Sequence, residues 1–311
     1  MELRRLRLLH ELSRHGTVAS VAQALSYSPS SVSVQLSELE REAGAKLLRR
    51  VGRNVELTPA GQRLATHAAE ALAADEAVRA ELAGLSDAPR GAVRMTFVQS
   101  TALALLPGAL TRLADTAPDL RVEVIQRETA PALADLRSRS VDLVVGIEYE
   151  PVPVARHRDV DRQDLLREDV LICLHPEHPA LPKRGPVRLA ACEHNPWATG
   201  HPATGLDAVV RNVCNRLAGF EPDVRHRSDD GLVLGALVAS GRAVALLPAL
   251  LAAAMPQIVA RRLREERLQR TIFTATRTTT TQAPAVLAVR EALHDAGRKV
   301  ATGQRDLDAL A

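Results

Sequence analysis

Apolar residues in the first sixty positions recur at helical spacing in short, punctuated segments. Val21, Ala22 and Leu25 sit three and four apart on one face, and after a polar turn Val32, Leu36 and Leu39 supply the face of a second helix. Ser28 is a good N-cap, and Pro29 suits the first helical position, where a missing N–H costs nothing. Two short helices packed on these faces leave Ser30, Ser31, Ser33, Val34, Gln35 and Ser37 on the outside. Such short groups can approach a nucleic-acid groove and bond to phosphates or base edges, with Glu38 and Glu40 marking the end directed away from it. The alternative is an ordinary pair of core helices. The basic stretch after them, running to the turn at Gly61, favours a helix-turn-helix with a basic hairpin.

Thr58 and Pro59 repeat the cap-plus-proline start, and the spacing predicts a helix of about seven turns reaching Ser86. Leu64, Ala68, Ala71, Val78, Leu82 and Leu85 alternate at four and three, with Asp75 the one polar interruption. This narrow stripe of small residues fits a seam between two chains better than a globular face. Packing of the helix on its own hairpin is the alternative the same residues permit. Residues 87–91 then break the pattern.

Beyond residue 91 the rhythm changes to short apolar runs alternating with helical segments near 102–115, 131–139, 209–217, 232–240 and 284–300. This βαβ alternation predicts α/β lobes with parallel strands. Ligands on open α/β sheets lie beyond the carboxyl ends of the strands. There Val98 to Thr101 and Trp197 to Gly200 each end a strand and offer hydroxyls near a helix start. Free N–H groups at those starts favour a carboxylate or similar anion. Against this, Ser100, Thr101 and Thr204 can simply cap their own helices. Trp197, the only tryptophan, can stack on a planar ligand or fill the core, and Asp229 and Asp230 read as caps.

Composition narrows the classes. Residues 1–61 hold nine Lys or Arg against six Asp or Glu, an excess of +3 that equals the whole chain's net charge. The positive excess therefore lies with the helix-turn-helix, as a modest basic patch for DNA requires. No run approaches the roughly 18 apolar residues of a membrane span and the N-terminus lacks a signal-like core, so a cytoplasmic location is expected, with no membrane partner. Cys173, Cys192 and Cys214 lack C-x-x-C spacing and read as buried thiols, with a Cys192–Cys214 redox switch as the alternative. His175 and His178 flank prolines in a turn rather than forming a metal site. No cofactor or metal is expected. The absence of a G-x-S-x-G elbow, a phosphate-binding loop and a dinucleotide glycine fingerprint argues against an enzyme.

The ordered residues Val21-Ala22, Val32-Ser33-x-Gln35-Leu36, Leu39-Glu40, Leu47, Arg50, Arg53 and Leu57-Thr58-x-x-Gly61 resemble the N-terminal domain of the LysR-type transcriptional regulators. Val34 departs from that pattern, standing where a basic residue is usual, as does Leu48 where Phe is usual. The resemblance extends more weakly over the whole chain. It implies an α/β protein with an N-terminal all-α winged helix-turn-helix domain (1–61), a long linker and dimerisation helix (62–88), and a two-lobed periplasmic-binding-protein-like effector domain (89–311). Lobe I would span about 91–160 and 268–311, and lobe II about 161–267. Thr17, Ser28, Ser30, Ser31, Ser33, Val34, Gln35, Arg50 and Arg53 are then the DNA-contacting residues. Ser100, Thr101, Thr129, Gly146, Trp197, Thr199, His201 and Thr204 surround the effector. The implied protein is a homodimer or homotetramer on a pseudo-palindromic operator, controlled by a small effector, with RNA polymerase as a further partner. The competing readings are an α/β enzyme or small-molecule binder, and an architectural DNA binder with a vestigial cleft.

Overall fold

Leu6, Leu9 and Leu12 of α1 (Leu3–His15) close a small core with Val21 and Ala22 of α2 (Val18–Ala24) and Val32, Leu36 and Leu39 of α3 (Pro29–Ala43). They do so in a computed structural model that describes residues 1–25, 27–51, 54–84, 88–302 and 306–310. Thr17 Oγ1 accepts the Ser20 N–H at 3.1 Å and Ser28 Oγ accepts the Ser31 N–H at 3.2 Å, so α2 and α3 both start on side-chain caps. The wing is an antiparallel pair, β1 (Leu48–Val51) and β2 (Asn54–Leu57), with Leu48 opposite Leu57. α4 (Pro59–Gly84) begins hard against it: a Cβ at Gly61 would collide with the Leu47 carbonyl, and only glycine permits that approach.

The stripe along α4 divides. Leu64, Ala68 and Ala71 pack into the core of their own domain, with α1 the main neighbour of α4. Within the chain that half serves as a cover for the leucines of α1, leaving Leu64 and Ala71 half-buried. Val78 and Leu82 remain 52% and 62% exposed. Leu85 lies outside the described residues. Among these, no helix is long and apolar enough to cross a membrane.

The rest of the chain builds around one long strand. β3 (Gly91–Phe97), β4 (Leu120–Gln126) and β5 (Leu143–Tyr149) are parallel, as the βαβ rhythm predicts, with α5 (Gln99–Thr116) and α6 (Thr129–Arg137) between them. β6 (Val160–Leu174) runs through both lobes. β7 (Pro196–Thr199), α7 (Gly205–Val213), β8 (Asp223–Arg227), α8 (Gly231–Ala239), β9 (Ala245–Pro248), α9 (Ala249–Ala252) and β10 (Val259–Arg261) form the second lobe. β11 (Gln269–Arg277), α10 (Pro284–Ala301) and β12 (Leu307–Ala309) return to the first. β11 lies antiparallel to both β5 and β6, so the sheet is mixed rather than purely parallel. Residues 160–169 of β6 pair with β11, and only Val170 onward pair with β9 and β10. The first lobe therefore keeps β6 as far as Asp169, beyond the boundary near 161 that the sequence suggested.

The N-terminal domain rests on the first lobe. Arg7 Nη2 donates to the carbonyls of Ser138 and Arg139, each at 3.4 Å, and Arg14 Nη2 to that of Ala134 at 3.3 Å. Glu76 of α4 receives Arg277 Nε at 2.7 Å and the Thr279 hydroxyl at 2.5 Å. Arg277, almost fully buried, also donates to the carbonyls of Leu136 and Val141.

Candidate DNA-reading helix and effector cleft

The cap at Ser28 fixes where α3 begins and so which residues its first turns display. Ser28, Ser30, Ser33 and Val34 are exposed and Ser31 is half-buried. Ser33 Oγ donates to the Pro29 carbonyl at 3.0 Å, which leaves its acceptor capacity outward. Gln35 is half-buried and its Oε1 accepts from Arg5 Nε at 3.0 Å, so the side chain is aimed by a neighbour on α1 that Glu42 also holds. Arg50 is exposed on β1 opposite Val55. Arg53 lies outside the described residues. Thr17 caps α2 and is half-buried, with its hydroxyl also bonded to Ser20 at 2.7 Å.

Glu40 does more than mark the far end of α3. Its Oε1 accepts the N–H groups of Leu47 and Leu48 at 2.9 and 3.1 Å, and Lys46 Nζ reaches Oε2 at 3.2 Å. Burial works against its charge, but the bonds from Leu48 and Leu47 and the Lys46 ammonium together hold its pKa below the ordinary value. One carboxylate thus ties the wing to the recognition helix. No periodicity rule reports it, since the contact joins a helix to the first residues of the wing.

Between the lobes lies a cavity of about 760 Å³, continued by a narrow space of about 60 Å³. Both have Glu128, Ile147, Tyr149, Thr204 and Asp229 in their walls. Ser100 lines the narrow end, and its hydroxyl is held by Arg270 Nη2 at 2.6 Å. Thr129 lines the wide end and accepts the Ile147 N–H at 2.9 Å, joining α6 to β5. His201 pairs with Asp229 at 3.2 Å, and Thr204 donates to the His201 carbonyl at 2.8 Å while capping α7. These four residues meet at one cleft.

The other four expected cleft residues do not reach it. Trp197 is fully buried, bonds to the Cys192 carbonyl at 3.3 Å and packs 6.3 Å from the Phe220 ring, so it belongs to the core. Thr101 is also buried, and its hydroxyl donates to the Val98 carbonyl at 2.9 Å rather than facing the cleft. Thr199 is fully buried behind the wall. Gly146 contributes space rather than contact: a Cβ there would press on the Phe273 ring at 2.6 Å and on Thr129 at 3.0 Å.

The structure adds residues that the sequence did not mark. Gln99 bridges the lobes, its Nε2 donating to Asp230 Oδ1 and its Oε1 accepting the Gly231 N–H, both at 2.7 Å. Asp230 Oδ1 also takes the Leu232 N–H, so the start of α8 is closed by the protein itself rather than left open for an anion. Arg270 and Glu168, both buried, pair at 2.6 Å at the junction of the lobes, and Glu168 also accepts the Leu250 N–H at 3.0 Å. Burial, reinforced by Asp229, pushes the Glu128 carboxyl above its ordinary pKa, while Arg270 opposes the rise.

These two units, a capped helix-turn-helix with a wing and a cleft between α/β lobes, match known family models over almost the whole chain. Residues 3–62 match the bacterial regulatory helix-turn-helix protein of the lysR family, and residues 86–298 match the LysR substrate binding domain. The chain belongs to the LysR family of transcriptional regulators.

Among its relatives, this LysR-type regulator is 29% identical over 248 residues to the transcriptional dual regulator GltC of Bacillus subtilis, covering 80% of this chain and 81% of that one. It is 34% identical over 165 residues to a probable hydrogen peroxide-inducible genes activator of Mycobacterium xenopi, covering 53% and 85%. Its fold is similar to full-length OxyR from Pseudomonas aeruginosa, with a TM-score of 0.65 and 20% identity over 96% of this chain and 95% of that one. It is also similar to full-length CbnR complexed with target DNA, at 0.54 and 21% over 95% and 100%. The named relatives are regulators, not enzymes. The cysteines of this LysR-type regulator are poor candidates for a redox role. Burial pushes the Cys173, Cys192 and Cys214 thiols up to about 12, which keeps them protonated and weakly nucleophilic at neutral pH.

Proposed function

We propose that this LysR-type regulator reads a pseudo-palindromic operator as a homodimer or homotetramer and is controlled by a small molecule held between its two lobes. The observation that carries the proposal is the cavity of about 760 Å³, whose walls come from both lobes. A ligand touching both lobes binds their arrangements unequally, as any population shift requires. The exposed Val78 and Leu82 on the far half of α4 support pairing with a second chain.

On the DNA side, Gln35 reads base edges, and Arg50, with Arg53, holds phosphates. Gln35→Ala is expected to relax base preference by about 1–3 kcal/mol at one position. Arg50→Ala is expected instead to weaken binding to all sequences alike and to flatten its salt dependence. Selection from randomised duplex DNA, repeated at two salt concentrations, checks both. Equal loss of sequence preference in the two variants would contradict this division of roles.

On the effector side, the charges facing the cavity favour a molecule carrying both signs. Glu128 and Asp229 present carboxylates from opposite lobes, whereas Arg14, Arg137 and His157 line other parts of the wall. The charge of Arg270 is already taken by Glu168. Arg137 is likewise held by Asp159 at 2.7 Å. An amino or other N–H donor group therefore belongs beside Glu128, and any carboxylate of the effector toward Arg14. Glu128→Gln is expected to weaken the response to an amine-bearing compound about tenfold, the effect of removing a charge-assisted bond. Operator affinity measured with matched panels of amines, amino acids and carboxylates tests this. A response confined to simple carboxylates overturns the amine subsite, and no response to any compound favours an architectural DNA binder.

A further inference from the structure

Apart from the cleft, a cavity of about 660 Å³ lies where the N-terminal domain rests on the first lobe. Its wall is basic. Arg4 and Arg7 come from α1, Arg94 from β3 and Arg139 from the turn after α6, and among the described residues Glu123 is the one carboxylate lining it. Glu123 is already engaged by Arg94 at 3.1 Å and Arg121 at 3.0 Å.

The remaining guanidiniums are poorly satisfied. Arg139 has a contact of 3.6 Å to Glu76, a carboxylate that Arg277 and Thr279 hold at shorter range. Among the described residues Arg7 makes only long bonds to two carbonyls, and the Nε atoms of both Arg7 and Arg139 are buried with no acceptor. Arg4 lies 5.1 Å over the Tyr27 ring and pairs with no carboxylate among the described residues. Glu11, buried close by, compensates weakly because burial raises its pKa to about 7. Arg139 moreover stands at φ 62°, after the end of a helix, where glycine is the usual residue. Its backbone gains nothing from being arginine, so the side chain is what the position supplies.

Crowded guanidinium forks lacking acceptors match the geometry of a phosphoryl group, which can accept several N–H bonds at once. We propose that this cavity is a second ligand site, which takes a small molecule bearing a phosphoryl dianion between Arg7 and Arg139, with Arg4 at its edge. Because α1 and the first lobe each supply arginines, the bound ligand ties the DNA-binding domain to its lobe.

Pyrophosphate serves as the probe, titrated calorimetrically into the full chain with and without operator DNA. One site per chain is expected. Binding should be about tenfold weaker in Arg7→Gln and in Arg139→Gln, and unchanged in Arg184→Gln, an exposed arginine of the other lobe. Arg4→Gln, which removes only a ring contact and so spares the fold, should also weaken binding. Hydrogen exchange in α1 should slow with pyrophosphate in the wild type and not in Arg139→Gln. Absence of binding, equal weakening by Arg184→Gln, or competition with DNA that is indifferent to Arg139→Gln would each overturn the site. The last outcome would assign the anion to the DNA-reading face.

Discussion

Replacing Arg270 with methionine is expected to destabilise the effector lobes by about 3–5 kcal/mol, the cost of stranding one member of a buried ion pair. Glu168 has no exposed surface, and with Arg270 removed its carboxylate keeps only the Leu250 N–H as a partner. The loss comes from an uncompensated charge rather than from the missing attraction, so a second change should reverse much of it. In Arg270→Met with Glu168→Gln, the amide oxygen still accepts from Leu250 and no buried charge is left. Urea unfolding followed by the fluorescence of Trp197, the single tryptophan and a core residue of the second lobe, reads both variants. A double variant no more stable than the single one would mean that the pair acts through packing. The single variant should also loosen Ser100 and Tyr149 at the narrow end of the cleft, since Arg270 bonds to both.

Glu11→Gln is expected to stabilise the N-terminal domain above neutral pH by about 3 kcal/mol, the free energy of a pKa rise of this size. Glu11 is almost fully buried on α1, and burial raises its pKa from 4.5 to about 7, with Arg14, Arg7 and Arg139 only partly opposing the rise. The folded state therefore holds a proton that the unfolded chain has released, and stability falls as pH rises from about 4.5 through about 7. His10 acts in the opposite direction. Burial, helped by the charges of Arg14 and Arg139, lowers its pKa from 6.5 to about 4, so its contribution is present above 6.5 and lost as pH falls toward 4. Between these limits the two slopes oppose one another in the wild type. The difference between Glu11→Gln and wild type isolates Glu11: it should be near zero at about pH 4, grow to about pH 7 and then level off. Helix circular dichroism during thermal unfolding at several pH values checks this, and a pH-independent difference would refute it.

The legible parts of the chain are those held by contacts close in sequence. Ser28 with Pro29 announces the start of α3, and Val32, Leu36 and Leu39 reveal its inner face because three- and four-residue spacing is a local property. The same logic located α5, α6 and α8 to within a few residues. The stripe on α4 was ambiguous, because small residues at that spacing fit a neighbouring helix of the same chain as well as another chain. Within the chain, the core of the N-terminal domain covers Ala68 and part of Leu64 and Ala71. Trp197 shows the limit for single residues: its rarity carried no information about which side of β7 it occupies.

By itself the sequence determined the helix-turn-helix, the wing, the long helix, the α/β alternation and, through ordered motif residues, the LysR resemblance. All of these are written in local spacing, capping and residue type. Tertiary structure alone decided that Gln99 bridges to Asp230, that Arg270 meets Glu168, that Glu40 ties down the wing, and that Arg7 and Arg139 face one cavity. The residues of these four pairs lie between 7 and 132 positions apart. Arg270 reaches Glu168 through the antiparallel entry of β11, Arg7 reaches the turn at Arg139 through the seating of α1 on the first lobe, and Gln99 reaches Asp230 through the closure of the two lobes. A polar or charged side chain gives no sign along the chain of which group will be folded against it.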